Sequence, residues 1–129
     1  MIELAWNDLI SISVKTIFQE DYSNPKNKYY VFSYVINIAN NNTFSIQLLS
    51  RFWHIVDCNF TNKIVEGAGV VGETPIILPN EFYQYSSACI LQSGIGKMQG
   101  YYTFKNLNNN KLIHASIQPF SLVYPFLYN

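Results

Sequence analysis

The chain has 129 residues, which suits one domain with a single hydrophobic core that needs no metal or disulfide to hold it together. Apolar residues make up 49% of it, a share typical of a globular rather than a disordered chain. Eight basic and eight acidic residues cancel and no Lys/Arg cluster occurs, which excludes a nonspecific binder of nucleic acid or of an anionic membrane surface.

The sequence carries no pattern for export or membrane insertion. Its first ten residues, MIELAWNDLI, include two acidic residues and lack the basic start and apolar centre of a signal peptide. No later segment approaches the roughly 20 apolar residues of a membrane span. We therefore expect a cytoplasmic protein, and in that reducing compartment Cys58 and Cys89 are predicted to be unlinked thiols.

In chain order, the first predicted elements are two strands. Residues Ile10 to Phe18 alternate with a period of two, as a half-buried strand does. After the polar loop QEDYSNPKNK, residues Tyr29 to Ala39 are aromatic or β-branched at nearly every position, which indicates a strand covered on both faces. Asn40 to Asn42 supplies the next turn.

The third predicted strand, Phe44 to Val56, is long and has two distinct faces. Alternation places Arg51 and Trp53 on one face and Phe52 and His54 on the other. Trp53 is most simply a large core residue of a central strand.

A polar reversal and a glycine segment follow. Residues Cys58 to Lys63 are predicted to turn the chain, and a short strand at Ile64 to Glu66 leads into the glycines. Pro75 and Pro79 prevent that segment from forming a helix or a regular central strand, so it is predicted to be a loop.

The rest of the chain predicts three more strands and no helix. They span Glu81 to Leu91, Lys97 to Lys105 and Lys111 to Val123, with QSGIG and NLNNN as turns. Short strands spaced by roughly ten residues with turn chemistry between them favour an all-β fold, a seven-stranded antiparallel β-sandwich forming a single domain over residues 1–129.

The segment VEGAGVVGE has the G-x-G-x-x-G spacing of a dinucleotide-binding turn, with glycines at Gly67, Gly69 and Gly72. That turn works because a helix follows, whose N-terminal N–H groups hold the pyrophosphate. Here Pro75 and two isoleucines follow instead, so the Rossmann interpretation fails on context.

Two interpretations of the glycines stay open. In one, the loop turns backbone N–H groups inward as an anion nest, with Arg51 as the counter-charge. Glu66 and Glu73 flank the loop and repel phosphate, which favours the other interpretation, in which the glycines allow positive φ or close strand approach. The loop is then an accessible surface of mixed charge, suited to a protein partner.

Metal binding and catalysis find little support. His54 and Asp57 are weak candidate ligands, since strand alternation points them to opposite faces while a transition-metal site gathers three or four ligands. No nucleophile elbow, Cys–His neighbours or paired carboxylates stand out. We predict no metal site, no cofactor and no enzymatic activity.

Several blocks of the sequence, in order, resemble the ApaG family, called CorD in some bacteria. They are QLLSRFWHIVD, VEGAGVVGETPII, LPNEFYQYSS, GKMQGYY and SIQPFSL, which begin at residues 47, 65, 78, 96 and 116. The resemblance covers nearly the whole chain.

That resemblance implies a fold and a kind of function. It implies a fibronectin type III or immunoglobulin-like sandwich and a domain that binds partner proteins, linked in bacteria to cobalt tolerance and magnesium efflux, with no established catalysis. We therefore expect a non-catalytic module that docks a protein partner. The alternatives are a phosphate- or nucleotide-binding protein that uses the GAGVVG loop, and a direct sensor of divalent metals.

Overall fold

The computed structural model describes residues 5–58 and 61–126. Within these ranges the chain forms nine β-strands and two short 3₁₀ turns, Glu20–Tyr22 and Pro25–Asn27, and contains no α-helix. The strands are β1 (Ala5–Trp6), β2 (Ile10–Phe18), β3 (Tyr30–Asn40), β4 (Ile46–Asp57), β5 (Thr61–Ala68), β6 (Ile76–Ile77), β7 (Phe82–Leu91), β8 (Ile95–Asn106) and β9 (Leu112–Val123).

The strands form two sheets that pack face to face. The larger sheet has the order β1-β9-β8-β4-β5, and β6 pairs with the start of β4 on the side that β5 occupies further along. The smaller sheet has the order β2-β3-β7. The seven long strands confirm the predicted all-β sandwich. The two-residue strands β1 and β6 add to it, and β1 departs from the antiparallel prediction because it runs parallel to β9.

The predicted strand boundaries agree best with the structure where side chains alternate most clearly along the sequence, and they are wrong around β5. The prediction for β2 matches the structure, Ile10–Phe18. Residues 61–63, predicted as a turn, and residues 67–68, predicted as a loop, belong to β5 instead. Strand β4 is long enough to supply ladder partners along all of β5, whose own side chains are mostly exposed and so give no periodic signal. The reversal itself includes residues 59 and 60, which lie outside the described part of the chain.

The buried apolar residues form one cluster between the sheets. Trp53, 3% exposed, lies near its centre, as predicted. The rings of Tyr34, Tyr102 and Phe120 meet it edge-on at centroid distances of 5.8, 6.2 and 5.9 Å. Edge-on packing is favourable for aromatic quadrupoles. Trp53, which lies on β4 of the larger sheet, thereby also contacts the smaller sheet through Tyr34.

A buried asparagine holds β6 in place and so fixes the far end of the glycine segment. The Asn40 side-chain nitrogen donates to the carbonyls of Phe44 and Ile77 at 2.9 and 3.0 Å, and its side-chain oxygen accepts from the backbone N–H of Asn42 at 3.0 Å. Buried amides need such partners, so Asn40 is a structural residue as well as the end of β3. Among the described residues, no helix is both long and apolar enough to cross a membrane.

Candidate binding site at the glycine loop

The glycine segment ends in a tight hairpin turn over Val70, Val71, Gly72 and Glu73. The N–H of Val70 donates to the carbonyl of Glu73, and the N–H of Glu73 donates back to the carbonyl of Val70, both at 2.9 Å. The two central residues have positive φ, 42° at Val71 and 81° at Gly72. This is the geometry of a type I′ turn, which matches the twist of paired strands and favours Asn-Gly at its centre.

The other two glycines lie close to neighbouring atoms, which are backbone atoms at Gly69 and the end of a flexible side chain at Gly67. At Gly69, φ is +63° and a Cβ would lie 2.2 Å from the carbonyl oxygen of Glu73. At Gly67 a Cβ would lie 2.9 Å from Nη1 of Arg51. The glycines therefore serve the backbone path of the loop and its close approach to neighbouring groups.

Arg51 braces this loop through the backbone. Its Nη1 donates to the carbonyls of Ala68 and Gly69 at 3.0 and 2.9 Å. The structure thus brings Arg51 together with Gly67 and Gly69. This guanidinium nitrogen is therefore hydrogen-bonded to the backbone of the loop.

Glu73 bonds to the opposite sheet. The Tyr83 hydroxyl donates to Oε2 of Glu73 at 2.8 Å, which links the loop to β7. Burial, with a further contribution from the Glu73 carboxylate, raises the pKa of Tyr83, so the hydroxyl remains a donor at neutral pH.

The turn uses N–H groups that an anion nest would need. The N–H groups of Gly69, Val70 and Glu73 already donate to backbone carbonyls, the first to Leu49 at 2.7 Å. A nest binds anions through N–H groups that point freely at the ligand. At these three positions the loop has none to offer.

A solvent-open cavity of about 450 Å³ lies beside the loop, between β5 and β7. Its lining includes Arg51 and Lys63 from the larger sheet and Ser87 and Cys89 from the smaller sheet, with Trp53 at its base. Among the described residues that line it there is no carboxylate. We call this cavity the cleft. Sequence reasoning missed Ser87, Cys89 and Lys63 because only sheet packing brings β7 opposite β5.

Burial keeps two acidic groups of the cleft, the Cys89 thiol and the Tyr34 hydroxyl, in their neutral forms. Desolvation raises the pKa of the Cys89 thiol to about 11, and nearby Lys63 opposes this only in part. Desolvation likewise raises the pKa of Tyr34, against the effect of the Ser87 hydroxyl. A protonated, buried thiol is a poor nucleophile, so Cys89 behaves as a small apolar side chain here.

Two hydrogen-bonded contacts mark the ends of the cleft. Tyr83 and Glu73 join the sheets at one end. At the other, the Asp57 carboxylate accepts from the N–H groups of Gln92 and Ser93 at 2.6 and 3.1 Å. Asp57 thus holds the turn between β7 and β8 in place.

His54 lies on the opposite face of β4 from Asp57. Its Nε2 is 2.9 Å from Oδ1 of Asn62, beside a shallow cavity of about 430 Å³ on the outer face of the larger sheet. The structure therefore does not bring His54 and Asp57 together. Within residues 5–58 and 61–126, no three His, Cys, Asp or Glu side chains gather as a metal site would require.

The smaller sheet stops one strand short of the larger one on this side. Strand β7 lies over β4 and β8, since the Tyr85 hydroxyl hydrogen-bonds that of Tyr102 and Gln92 bonds Asp57. The inward side chains of β5 are therefore only partly covered, with Lys63 exposed and Val65 half-buried. We call this the open side of the sandwich.

Comparison with known proteins places this architecture in a family. The model of the ApaG domain matches residues 20–106 of the chain. The chain belongs to the ApaG family. Its relatives include Protein ApaG of Shewanella piezotolerans, 45% identical over 118 residues that cover 92% of this chain and 93% of that one. Protein ApaG of Brucella anthropi is 43% identical over 90% of this chain and 88% of its own.

Two solved structures are similar to this chain in three dimensions. A crystal structure of a putative ApaA protein from Bordetella pertussis has a TM-score of 0.87 and 32% identity, with 95% of this chain and 98% of that chain covered. An X-ray structure from a structural genomics consortium has a TM-score of 0.88 and 38% identity, over 97% and 94%. The β-sandwich described above is thus the ApaG fold.

Proposed function

We propose that this chain is a non-catalytic binding module that docks a protein partner at the open side of the sandwich, beside the glycine loop. The observation that most supports this is the conformation of Val71. It lies at the tip of the type I′ turn, 59% exposed, with φ of 42°. A β-branched residue is strained in this region, where Asn or Gly is favoured.

Packing of the Val71 side chain within the fold does not offset the strain in its backbone. A side chain so exposed contributes little to the core, and the same turn would be more stable with Asn at this position. Strained residues persist mainly where surrounding structure and function require them. An apolar side chain held out beside the cleft is suited to contact with another protein.

The chemistry around Val71 supports a protein partner more than a phosphate. The cleft combines apolar Val65 and Ile90 with the cations Arg51 and Lys63. Such a mixture of apolar surface and charge is usual at protein interfaces. Nucleotide binding and direct metal sensing remain as alternative predictions; for a metal, no three His, Cys, Asp or Glu side chains gather among the described residues.

Affinity capture with mass spectrometry from the native cytoplasm tests the proposal. Wild type, Val71→Asn and the control Ile17→Asn are compared, since Ile17 is another exposed apolar residue, on the far strand β2. We expect Val71→Asn to reduce recovery of the partner at least fivefold, equivalent to about 1 kcal/mol of interface contact, with the domain still folded. Equal recovery with all three proteins would contradict the proposal.

We also propose that the docked complex, and not a metal bound to this domain, connects the chain to cobalt tolerance and magnesium efflux in the cytoplasm. This part rests on family membership. Deletion of the gene should change cobalt sensitivity, and Val71→Asn should reproduce that change if docking is the relevant step. A normal cobalt response in the Val71→Asn strain would show that docking at this site is not the step that connects the protein to cobalt tolerance.

A further inference from the structure

We propose that the partner contributes an extended segment that adds as a strand to the free edge of β7 and places an acidic side chain in the cleft beside Lys63 and Arg51. This inference rests on the proposed function and specifies how docking occurs. Three features of the open side support it: the edge of β7, the partly covered face of β5 and the charge of the cleft.

Strand β7 pairs with β3 along one edge, and among the described residues no strand pairs with its other edge, whose backbone groups are therefore available. The N–H of Asn40 donates to the carbonyl of Glu81 at 2.9 Å. Antiparallel pairing alternates from there, so odd-numbered residues of β7 direct their backbone groups toward β3. The residues whose N–H and carbonyl groups face the open edge are Phe82, Gln84, Ser86, Ala88 and Ile90.

The β7 edge lacks the usual protection against strand pairing. Its sequence, FYQYSSACIL, is ten residues long and contains no charged residue and no proline. Natural edge strands are commonly guarded by Lys, Pro, bulges or short length. An unguarded edge of this length is a template for an added strand, a recurring mode of peptide recognition.

The geometry favours one added strand over a second copy of the chain. The larger sheet extends beyond β7 by the width of β5, so two copies that met at β7 would bring their β5 strands into the same space. A single segment would instead lie over β5, making the smaller sheet four strands wide. Its inward side chains would cover Lys63, which is exposed, and the exposed part of the half-buried Val65.

The charge of the cleft specifies the chemistry of one inward side chain. Arg51 and Lys63 both line it, and no carboxylate does among its described residues. Beyond the effect of burial, Lys63 lowers and Asp57, at the end of the cleft, raises the pKa of Cys89, so charges of both signs lie near this thiol. The cleft itself presents Arg51 and Lys63, and a glutamate or aspartate at an inward position of the segment would add a carboxylate between them in a partly desolvated place, where ion pairs are stronger than on open surface.

The probe is a set of fluorescein-labelled ten-residue peptides that alternate threonine with valine, with glutamate, glutamine or lysine at one inward position. Fluorescence anisotropy measures binding. We expect saturable binding of the glutamate peptide and about tenfold weaker binding of the lysine peptide, as loss of one charged hydrogen bond implies. Binding that does not distinguish glutamate from lysine, or no saturable binding by any peptide, would overturn the inference.

Two pairs of variants locate the site on the protein. Ser86→Pro removes an edge-facing N–H of β7 and leaves the β3 ladder intact, and its control, Thr16→Pro, does the same on the outer edge of β2. Lys63→Glu reverses a cleft charge, and Lys15→Glu makes the same change on β2. Only Ser86→Pro and Lys63→Glu should weaken the glutamate peptide, by about tenfold.

The backbone prediction can also be tested without changing the protein. In an added strand, every second amide N–H of the peptide points toward β7 and the others point away. N-methylation of the first set should therefore abolish binding, and N-methylation of the other set should preserve it. Equal effects in both registers would refute strand addition even if Ser86→Pro fails to fold. A β7-dependent dimer of the chain alone, dissociated by Ser86→Pro, would assign the edge to a second copy and also refute it.

The outcomes separate this inference from the proposed function. If Val71→Asn abolishes partner capture but the peptides show no preference for glutamate, docking stands and strand addition fails. If Val71→Asn leaves partner capture unchanged, docking at this side fails, and with it the mode inferred here.

Discussion

The conformation of Val71 leads to a quantitative prediction, because strain and exposure at this residue can be separated by substitution. A residue with a Cβ in the left-handed region costs about 1 to 2 kcal/mol, and Asn tolerates that region far better. Val71 has φ of 42° and is 59% exposed, so its replacement loses little buried surface. Val71→Asn should therefore stabilise the domain by about 1 kcal/mol.

Two glycine substitutions calibrate this effect. Gly72 has φ of 81°, and no atom lies within 4 Å of the place that a Cβ would occupy, so Gly72→Ala should cost only the strain, about 1 to 2 kcal/mol. Gly69→Ala adds a contact at 2.2 Å with the Glu73 carbonyl. Because that contact must open the turn and break its hydrogen bonds, Gly69→Ala should cost more than about 3 kcal/mol.

Equilibrium urea unfolding followed by tryptophan fluorescence measures all three variants. Unchanged m-values would show that the free energies of unfolding are comparable. A destabilised Val71→Asn protein would refute the assignment of strain to Val71. Equal costs for Gly69→Ala and Gly72→Ala would refute the close approach of Gly69 to Glu73.

The core, the two thiols and the glycine loop each give a further prediction. Trp53→Ala should lower the free energy of unfolding by about 3 to 5 kcal/mol, because it leaves a cavity among three aromatic rings, and a nearly unchanged urea midpoint would show that Trp53 is not core. Cys89 has its pKa raised from 9.0 to about 11, so its contribution to stability is complete below pH 9 and is lost as pH rises toward 11; the stability difference between wild type and Cys89→Ala should narrow over that range in thermal unfolding scans. Cys58 and Cys89, exposed and buried respectively, should both be thiols in freshly isolated protein, and a mass two daltons lower than after reduction would contradict this. Pyrophosphate, ATP and diadenosine polyphosphates should give no saturable calorimetric signal at physiological salt; micromolar binding that Gly69→Val abolishes in a folded protein would favour the nucleotide alternative.

Local patterns in the sequence were sufficient for much of this architecture. Side-chain alternation in β2 and β4 is a direct consequence of strand geometry, so it predicted the bounds of β2 and the opposite faces of Trp53 and His54. The residues that follow the glycines, Pro75 and two isoleucines, do not suit the helix of a dinucleotide-binding turn, so the sequence removed the Rossmann interpretation. These inferences needed no knowledge of residues far away in the chain.

The candidate site, in contrast, depended on contacts between residues distant in sequence. Arg51 was grouped with the glycines as a counter-charge, but strand pairing set its guanidinium against the carbonyls of Ala68 and Gly69. Strand β5 forms because β4 supplies its ladder, not because its own residues alternate in burial. The cleft exists because β7, from the other sheet, stops short of β5. No local period encodes how far one sheet extends beyond another, so only the tertiary structure could place Lys63 opposite Ser87 and Cys89.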